Sequence, residues 1–291
     1  MNPAMLSPVL TNFSEATNLT KTGDNRYRVE FDRSWWVIAG PNGGIIAAVI
    51  LKAAMAALPE NRTARTITVH YLSAPGEGEA EIVVTVDKNG KNLSFVTVRL
   101  TQGDRCIATA LVAVGVSMTP DQSWQQMSMP RSMPLEQGFK MLSDVHVAFR
   151  DRWDDRWTIG IPGHPETSIT DGAYEVGGWT RLADPEPYDE AVILAMADSW
   201  VPSAMVHMDE AVHLPTIELT VHFLVDPRET GLSPEDHCFV VFRQLVGSQG
   251  FVDDTGEIWS PDGRLIATSR QIALLVEGKG LPVASRHYVA P

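Results

Sequence analysis

Two segments of the chain nearly rhyme: RTITVHYLSAP (Arg65–Pro75) and TIELTVHFLVDP (Thr216–Pro227). Thr68, Val69, His70 and Tyr71 in the first stand against Thr220, Val221, His222 and Phe223 in the second, 152 positions later. Both segments alternate apolar and polar residues, the two-residue period of a half-buried strand. A second pair repeats as well, CIATALVAV from Cys106 and LIATSRQIA from Leu265. A chain that writes the same strands twice in the same order predicts two similar units.

The surroundings repeat too. NRYRVEFD (residues 25–32) alternates like a strand, and Pro41, Asn42, Gly43 and Gly44 then break the chain. Ile45 to Leu58 is an apolar run whose only charge is Lys52, closed by Pro59. A helix apolar on every side belongs in a core, and this one is shorter than the roughly 20 residues of a membrane span. Four alternating strands follow up to Val116, with Asn89–Lys91 as a hairpin signal. In the second half, strand-like VHVAFRDRW (residues 145–153) and EVGGWTRLA (residues 175–183) lead to DPEPYDEAVILAMADSW (residues 184–200). That last stretch reads as a helix capped by Asp189 and stopped by Pro202, and four more strands come after it. One buried helix followed by antiparallel strands, twice over, predicts an α+β fold, a tandem double hotdog. The units are expected at 1–117 and 136–291, joined by a Met-, Ser- and Pro-rich linker over 118–135.

Composition bounds the function. The chain has 291 residues, is 44% hydrophobic and carries a net charge of −13. That length suits two ordinary domains. The acidic balance argues against a nucleic-acid partner or an anionic membrane, both of which want a basic footprint. Cys106 and Cys238 lie in apolar strands with no metal-ligand spacing, as in core thiols of a reducing compartment. The N-terminus has neither the basic nor the long apolar region of a signal peptide, so a cytoplasmic location is expected. No cofactor or metal is called for.

Where the copies differ in polarity, chemistry is expected. Gln271 stands where its twin position holds Val112, on a face of small apolar residues. A buried amide without partners costs about 1–3 kcal/mol, so Gln271 either bonds to backbone as a core residue or holds something. Asp198 ends an apolar helix whose counterpart has no acid between Ile45 and Leu58. Burial and the negative end of the helix dipole both raise a carboxyl pKa toward what a general base needs; capping of the following turn is the plainer alternative. Thr216 stands against Ala64. Strict alternation groups it with Glu218, Thr220 and His222, away from the helix side, whereas Pro215 would let it turn inward. Both orientations stay open.

The strings WWVIAGPNGG, GGWTRLADPEP, AMADSW, PTIELTVHFL and DGRLIATSRQIALL, taken in order, resemble the acyl-CoA thioesterase II–like double-hotdog thioesterases from about Phe13 to Val276. The resemblance implies hydrolysis of acyl-CoA or a related acyl thioester. It also implies that Asp198, Thr216 and Gln271 hold the attacking water, with one catalytic set per chain. Gly43 and Gly44, at a helix start, are candidate oxyanion or substrate donors, or simply permit tight helix entry. Lys88, Lys91 and Arg99 around the first hairpin offer a positive cluster for the coenzyme's phosphates, or are solvated surface charges. A homodimer or larger homo-oligomer is expected on the same resemblance.

Three rival readings stand beside this one. In a hydratase or dehydratase of this fold an Asp is followed five residues later by His; Asp184 fits, but Asp189 occupies the second place. A non-catalytic acyl-thioester binding protein would use the same slot. A serine hydrolase needs a Gly-x-Ser-x-Gly elbow, which this sequence lacks.

Overall fold

The computed structural model describes residues 10–38, 40–118, 123–168, 174–208, 212–277 and 286–291. The first half runs α1 (Phe13–Ala16), β1 (Thr20–Gly23), β2 (Arg26–Phe31), α2 (Gly43–Ala56), β3 (Thr63–Tyr71), β4 (Gly78–Asn89), β5 (Leu93–Gln102) and β6 (Arg105–Gly115). The second begins with β7 (Lys140–Ser143), β8 (Trp153–Ile159), β9 (Tyr174–Leu182), α3 (Glu190–Met196) and α4 (Ser203–His207). It continues through β10 (Val212–His213), β11 (Thr216–Phe223), β12 (Cys238–Ser248), β13 (Phe251–Trp259), β14 (Leu265–Leu274), β15 (Val276–Glu277) and β16 (Arg286–Val289). The repeated unit is plain: α2 with β3 to β6, then α3 with β11 to β14. The expected α+β double hotdog is the architecture.

Twelve strands make one sheet in the order β1-β2-β4-β5-β6-β3-β11-β14-β13-β12-β9-β8. The two rhyming strands meet at its centre. β3 and β11 pair antiparallel, with Thr68 opposite Thr220 and their hydroxyls 2.8 Å apart. An approximate twofold axis therefore passes between the two threonines and relates the units. Two short ribbons, β7 with β16 and β10 with β15, lie outside this sheet.

Both central helices are buried for the reason their composition predicts. Asn42 caps α2 by accepting the Gly44 N–H at 2.9 Å, and Asp189 caps α3 by accepting the Val192 N–H at 2.8 Å. The helices touch at Gly44, where a Cβ would come within 2.7 Å of the Ala195 carbonyl oxygen. α3 is shorter than its sequence suggests. Beyond Met196 the chain tightens, Asp198 and Ser199 donating their N–H groups to the carbonyls of Ala195 and Met196 at 3.2 and 3.1 Å. The Ser199 hydroxyl also donates to the Met196 carbonyl, competition that favours ending a helix. Asp198 thus sits in a tight last turn, ahead of Pro202.

One further expectation is corrected. VHVAFRDRW is not a strand: Ala148–Arg152 forms a 3-10 turn and the strand starts at Trp153. Burial of Phe149 among Trp35 and Trp153 rings, at centroid separations of 6.4 and 6.2 Å, turns the chain there. The tryptophans of this region pack mainly in the core. His213 lies in β10 and His207 ends α4, whereas His70 and His222 stand exposed on the outer face.

Candidate active site

Thr216 settles its own orientation through a bulge. β11 pairs Thr216 with Ala273 but Glu218 with Ile272, so the register slips by one at Ile217. A one-residue slip flips the faces of a strand. Ile217 is thereby pushed outward, 36% exposed, and Thr216 turns to the inner side. The same slip occurs between Ala64 and Thr66 in β3, so the bulge is duplicated although the hydroxyl is not. The Thr216 hydroxyl donates to Gln271 Oε1 at 3.0 Å. Gln271, 8% exposed, sits on the inward face of β14 as the alternation of that strand predicts.

The Gln271 amide stands near Asp198 and helps to stabilise its carboxylate. Asp198 Oδ2 also accepts the Gly44 N–H at 2.9 Å and the Asn42 Nδ2 amide at 3.0 Å, while Asn42 Nδ2 reaches the Asp198 carbonyl at 2.9 Å. The carboxylate therefore stands at the positive N-terminal end of α2, although it follows the C-terminal end of its own helix. That corrects the dipole expectation, because α2 favours the anion. Burial nevertheless wins and pushes the Asp198 pKa up to about 6, against the Gly44 N–H, the two amides and the Arg150 guanidinium, all of which pull it down.

Gly43 and Gly44 make room for this acid. A Cβ on Gly43 would lie 2.9 Å from Asp198 Oδ2. Gly44 is corrected as an oxyanion donor, since its N–H already points at Asp198 and at the Asn42 side chain. The three cationic residues around the first hairpin do not reach the site. The hairpin tip near Lys88 and Lys91 is held by Arg62, through Asn89 and Gly90, at the Thr63 end of β3. Tyr71 lies at the other end, about 26 Å away by strand rise. Arg99 is in register with Thr109 and His70 on the exposed outer face.

A cavity of about 410 Å³ opens beside Asp198, lined by residues of both units. Its cations are Arg150 and Arg286, which sequence reasoning missed. Arg150 pairs with Asp155 at 3.3 Å and bonds the Ser199 carbonyl; Arg286 donates to the Met205 carbonyl at 2.6 Å. Tyr71, the polar twin of Phe223, donates its hydroxyl to the Gly43 carbonyl at 2.8 Å and fixes the start of α2. Asp184 and Asp189, the residues of the hydratase comparison, are elsewhere: Asp184 is an exposed partner of Arg152 and Asp189 is a helix cap.

Residues 32–115 match the acyl-CoA thioesterase N-terminal domain, and residues 120–275 match the acyl-CoA thioesterase C-terminal domain. A protein of unknown function with a hot dog fold from Alicyclobacillus acidocaldarius superposes with a TM-score of 0.81 at 25% identity, over 91% of this chain and 97% of that one. The acyl-CoA thioesterase II TesB2 of Mycobacterium marinum shares the fold, with a TM-score of 0.74 at 18% identity over 92% of this chain and 100% of that one. A curated relative, the thioesterase-like protein TwmA of Talaromyces wortmannii, is 27% identical over 158 residues. That match spans 50% of this chain and 45% of the relative, less than half the relative's length. With both halves matched to its two domains, the chain belongs to the acyl-CoA thioesterase family.

Proposed function

We propose that the protein hydrolyses an acyl thioester, acyl-CoA or a related carrier thioester, to the free acid and the thiol. One observation carries the reading beyond family membership: Asp198, Gln271 and Thr216 stand together on a cavity wall, with Thr216 bonded to Gln271 and the Gln271 amide stabilising the Asp198 carboxylate. At the twin positions of the latter two the first unit has only Val112 and Ala64.

A thioester is activated enough to be attacked by water without a covalent intermediate. Gln271 and Asp198 hold the water, and Asp198 takes its proton as the oxygen adds to the carbonyl carbon. The Thr216 hydroxyl fixes the Gln271 amide with Nε2 toward the acid. The tetrahedral intermediate then expels the thiolate, and the proton held by Asp198 is available to it. The Gly43 N–H, one of the orphan donors of the α2 N-terminus, is the group offered to the oxyanion. A base that titrates near 6 is ionised at neutral pH and still basic enough to work.

The division into units at 1–117 and 136–291 with a linker at 118–135, the cytoplasmic location and the homo-oligomer belong to the same proposal. Exposed Leu245, Val246 and Phe251 at the β12–β13 hairpin support an oligomer contact. Among the described residues no helix is long and apolar enough to cross a membrane. The test is thiol release from acyl-CoAs of graded length, with Asp198→Asn and Gln271→Ala beside the wild type. Release that falls by orders of magnitude in both folded variants supports the reading. Release that survives both changes overturns the site, and binding without release from any thioester overturns the activity.

A further inference from the structure

The polar row does not stop at Gln271. Asp254 on β13 lies directly across from Gln271 in the sheet register, and Gln244 on β12 lies beyond it, joined by Gln244 Nε2 donating to Asp254 Oδ2 at 3.3 Å. Thr216, Gln271, Asp254 and Gln244 thus cross four neighbouring strands on the inner face, and all four line the cavity. Matched through the strand pairings, the first unit presents Ala64, Val112, Val96 and Val86 in this row. The attack on the carbonyl accounts for Thr216 and Gln271. It gives no work to the other two.

Asp254 is 4% exposed, and its Oδ1 is buried with no hydrogen-bond partner. A buried polar atom left unpaired is costly and calls for an explanation. Gln244 cannot turn to serve it better, because its Oε1 accepts from the Ser203 hydroxyl and the Ala204 N–H. The pair lies beside Phe242 and Met205, in the buried apolar part of the cavity, whereas Val37, Ile38 and Leu72 at the cavity are exposed. The exposed side is where a large coenzyme enters, which leaves the buried side to the acyl chain.

The geometry points to a polar subsite for the acyl group, in which Asp254, braced by Gln244, takes a hydroxyl or oxo oxygen carried a few carbons beyond the thioester carbonyl. Neighbouring strands lie about 4.8 Å apart, so a group one strand beyond Gln271 meets the chain near its β- or γ-carbon. Burial, together with the Asp198 charge, holds the Asp254 carboxyl well above the usual range. That shift favours the protonated carboxyl, whose O–H can donate to such an oxygen. This inference rests on the thioesterase reading and narrows it to oxygenated acyl thioesters.

The test compares acyl-CoAs of equal length with and without a 3-hydroxyl or 3-oxo group, in the wild type and in Asp254→Val and Asp254→Asn. The wild type is expected to favour the oxygenated member of each pair in kcat/KM by about tenfold or more. In Asp254→Val that ratio collapses toward one, and Asp254→Asn, which can still donate, retains part of it. Equal use of both members by the wild type overturns the subsite. So does a loss in the variants that falls alike on every substrate, which would place Asp254 against the coenzyme arm. Calorimetry with non-hydrolysable thioether analogues of the same pairs reads the preference without turnover. If nothing is hydrolysed but the oxygenated analogue binds more tightly only when Asp254 is present, the subsite stands and the hydrolysis falls.

Discussion

The approximate twofold axis between Thr68 and Thr220 gives the molecule two comparable ends, and they have opposite fates. At one end the tip of α2, the last turn of α3 and the bulged start of β11 surround a cavity with a buried acid in its wall. At the other the start of α3 meets the bulged start of β3, and the space is closed. Glu190 there accepts the Ala64 N–H at 3.4 Å and pairs with Arg228 at 3.1 Å, while Arg228 and the Thr63 hydroxyl both bond Asp226. The two carboxylates at the closed end share the Arg228 guanidinium; burial raises the Glu190 acid, whereas at Asp226 desolvation is outweighed by the hydrogen bonds and charge of Arg228 together, which hold that acid below its ordinary range. Asp198 at the open end is held mainly by neutral donors and is pushed up by burial. The same backbone frame thus carries an ion-paired cluster at one end and, at the other, the buried acid proposed as the base. What separates them is that a guanidinium bonds the acids directly at one end, whereas neutral N–H donors bond Asp198 at the other.

The largest effect that would test this contrast is the loss of the base. Asp198→Asn is expected to lower thiol release by about 10²–10⁴-fold, whereas Glu190→Gln at the closed end leaves release per folded molecule unchanged. Parallel rate measurements on purified, folded variants check both, and equal losses would erase the distinction between the ends.

The same variant should be more stable than the parent. Asp198 titrates near 6 when folded, above its ordinary 3.8, so the folded state holds that proton more tightly than the unfolded chain. Stability is then full below about 3.8 and declines as pH rises toward 6, by on the order of 2–3 kcal/mol. Asp198→Asn removes the penalty. Its Tm should exceed that of the wild type at pH 8, and the two should converge below pH 4. Wild-type activity should rise around pH 6, where the folded-state carboxyl loses its proton. A gain in Tm that is independent of pH would mean packing rather than charge.

At the closed end the sign reverses. Arg228→Ala strands the buried Glu190 carboxyl and the Asp226 carboxyl side by side. Because Arg228 is half exposed, a loss of about 1–2 kcal/mol is expected rather than the full cost of breaking a buried pair. Denaturant unfolding checks it, with thiol release per folded molecule expected to match the wild type.

How much of this was legible in the sequence follows from what repetition reveals. The fold was readable because two strands and a helix are written twice, and a duplicated pattern is hard to produce by accident. Gln271 was readable because its strand alternates without interruption, so its twin Val112 could be named. Applied to the middle strands, the same test would have found Asp254 against Val96 and Gln244 against Val86, and it would have marked Tyr71 against Phe223. Asn42, Arg150 and Arg286 carry no such signal, because they come from connecting segments and the tail, where the copies diverge. The role of Gly44 was hidden for another reason: its N–H is shared between its own cap, Asn42, and an acid that only the other unit brings.

Thr216 shows the limit most clearly, since a bulge inverts the answer that alternation gives, and it also carries the smallest expected effect. Its hydroxyl meets Gln271 Oε1 and reaches no carboxylate, so its work is to choose which end of a symmetric-looking amide faces Asp198. Thr216→Ala removes about one hydrogen bond's worth of that preference, roughly 1 kcal/mol, and should lower kcat by no more than about tenfold. Thr216→Ser keeps the oxygen and should restore the rate. Thr216→Val keeps the shape of the side chain and should not. Ala64→Thr, on the twin bulge, should change nothing in the rate, because Val112 offers it no acceptor. If the serine variant stays slow while the valine variant is fast, the residue acts through shape, and the hydroxyl at the open end is incidental.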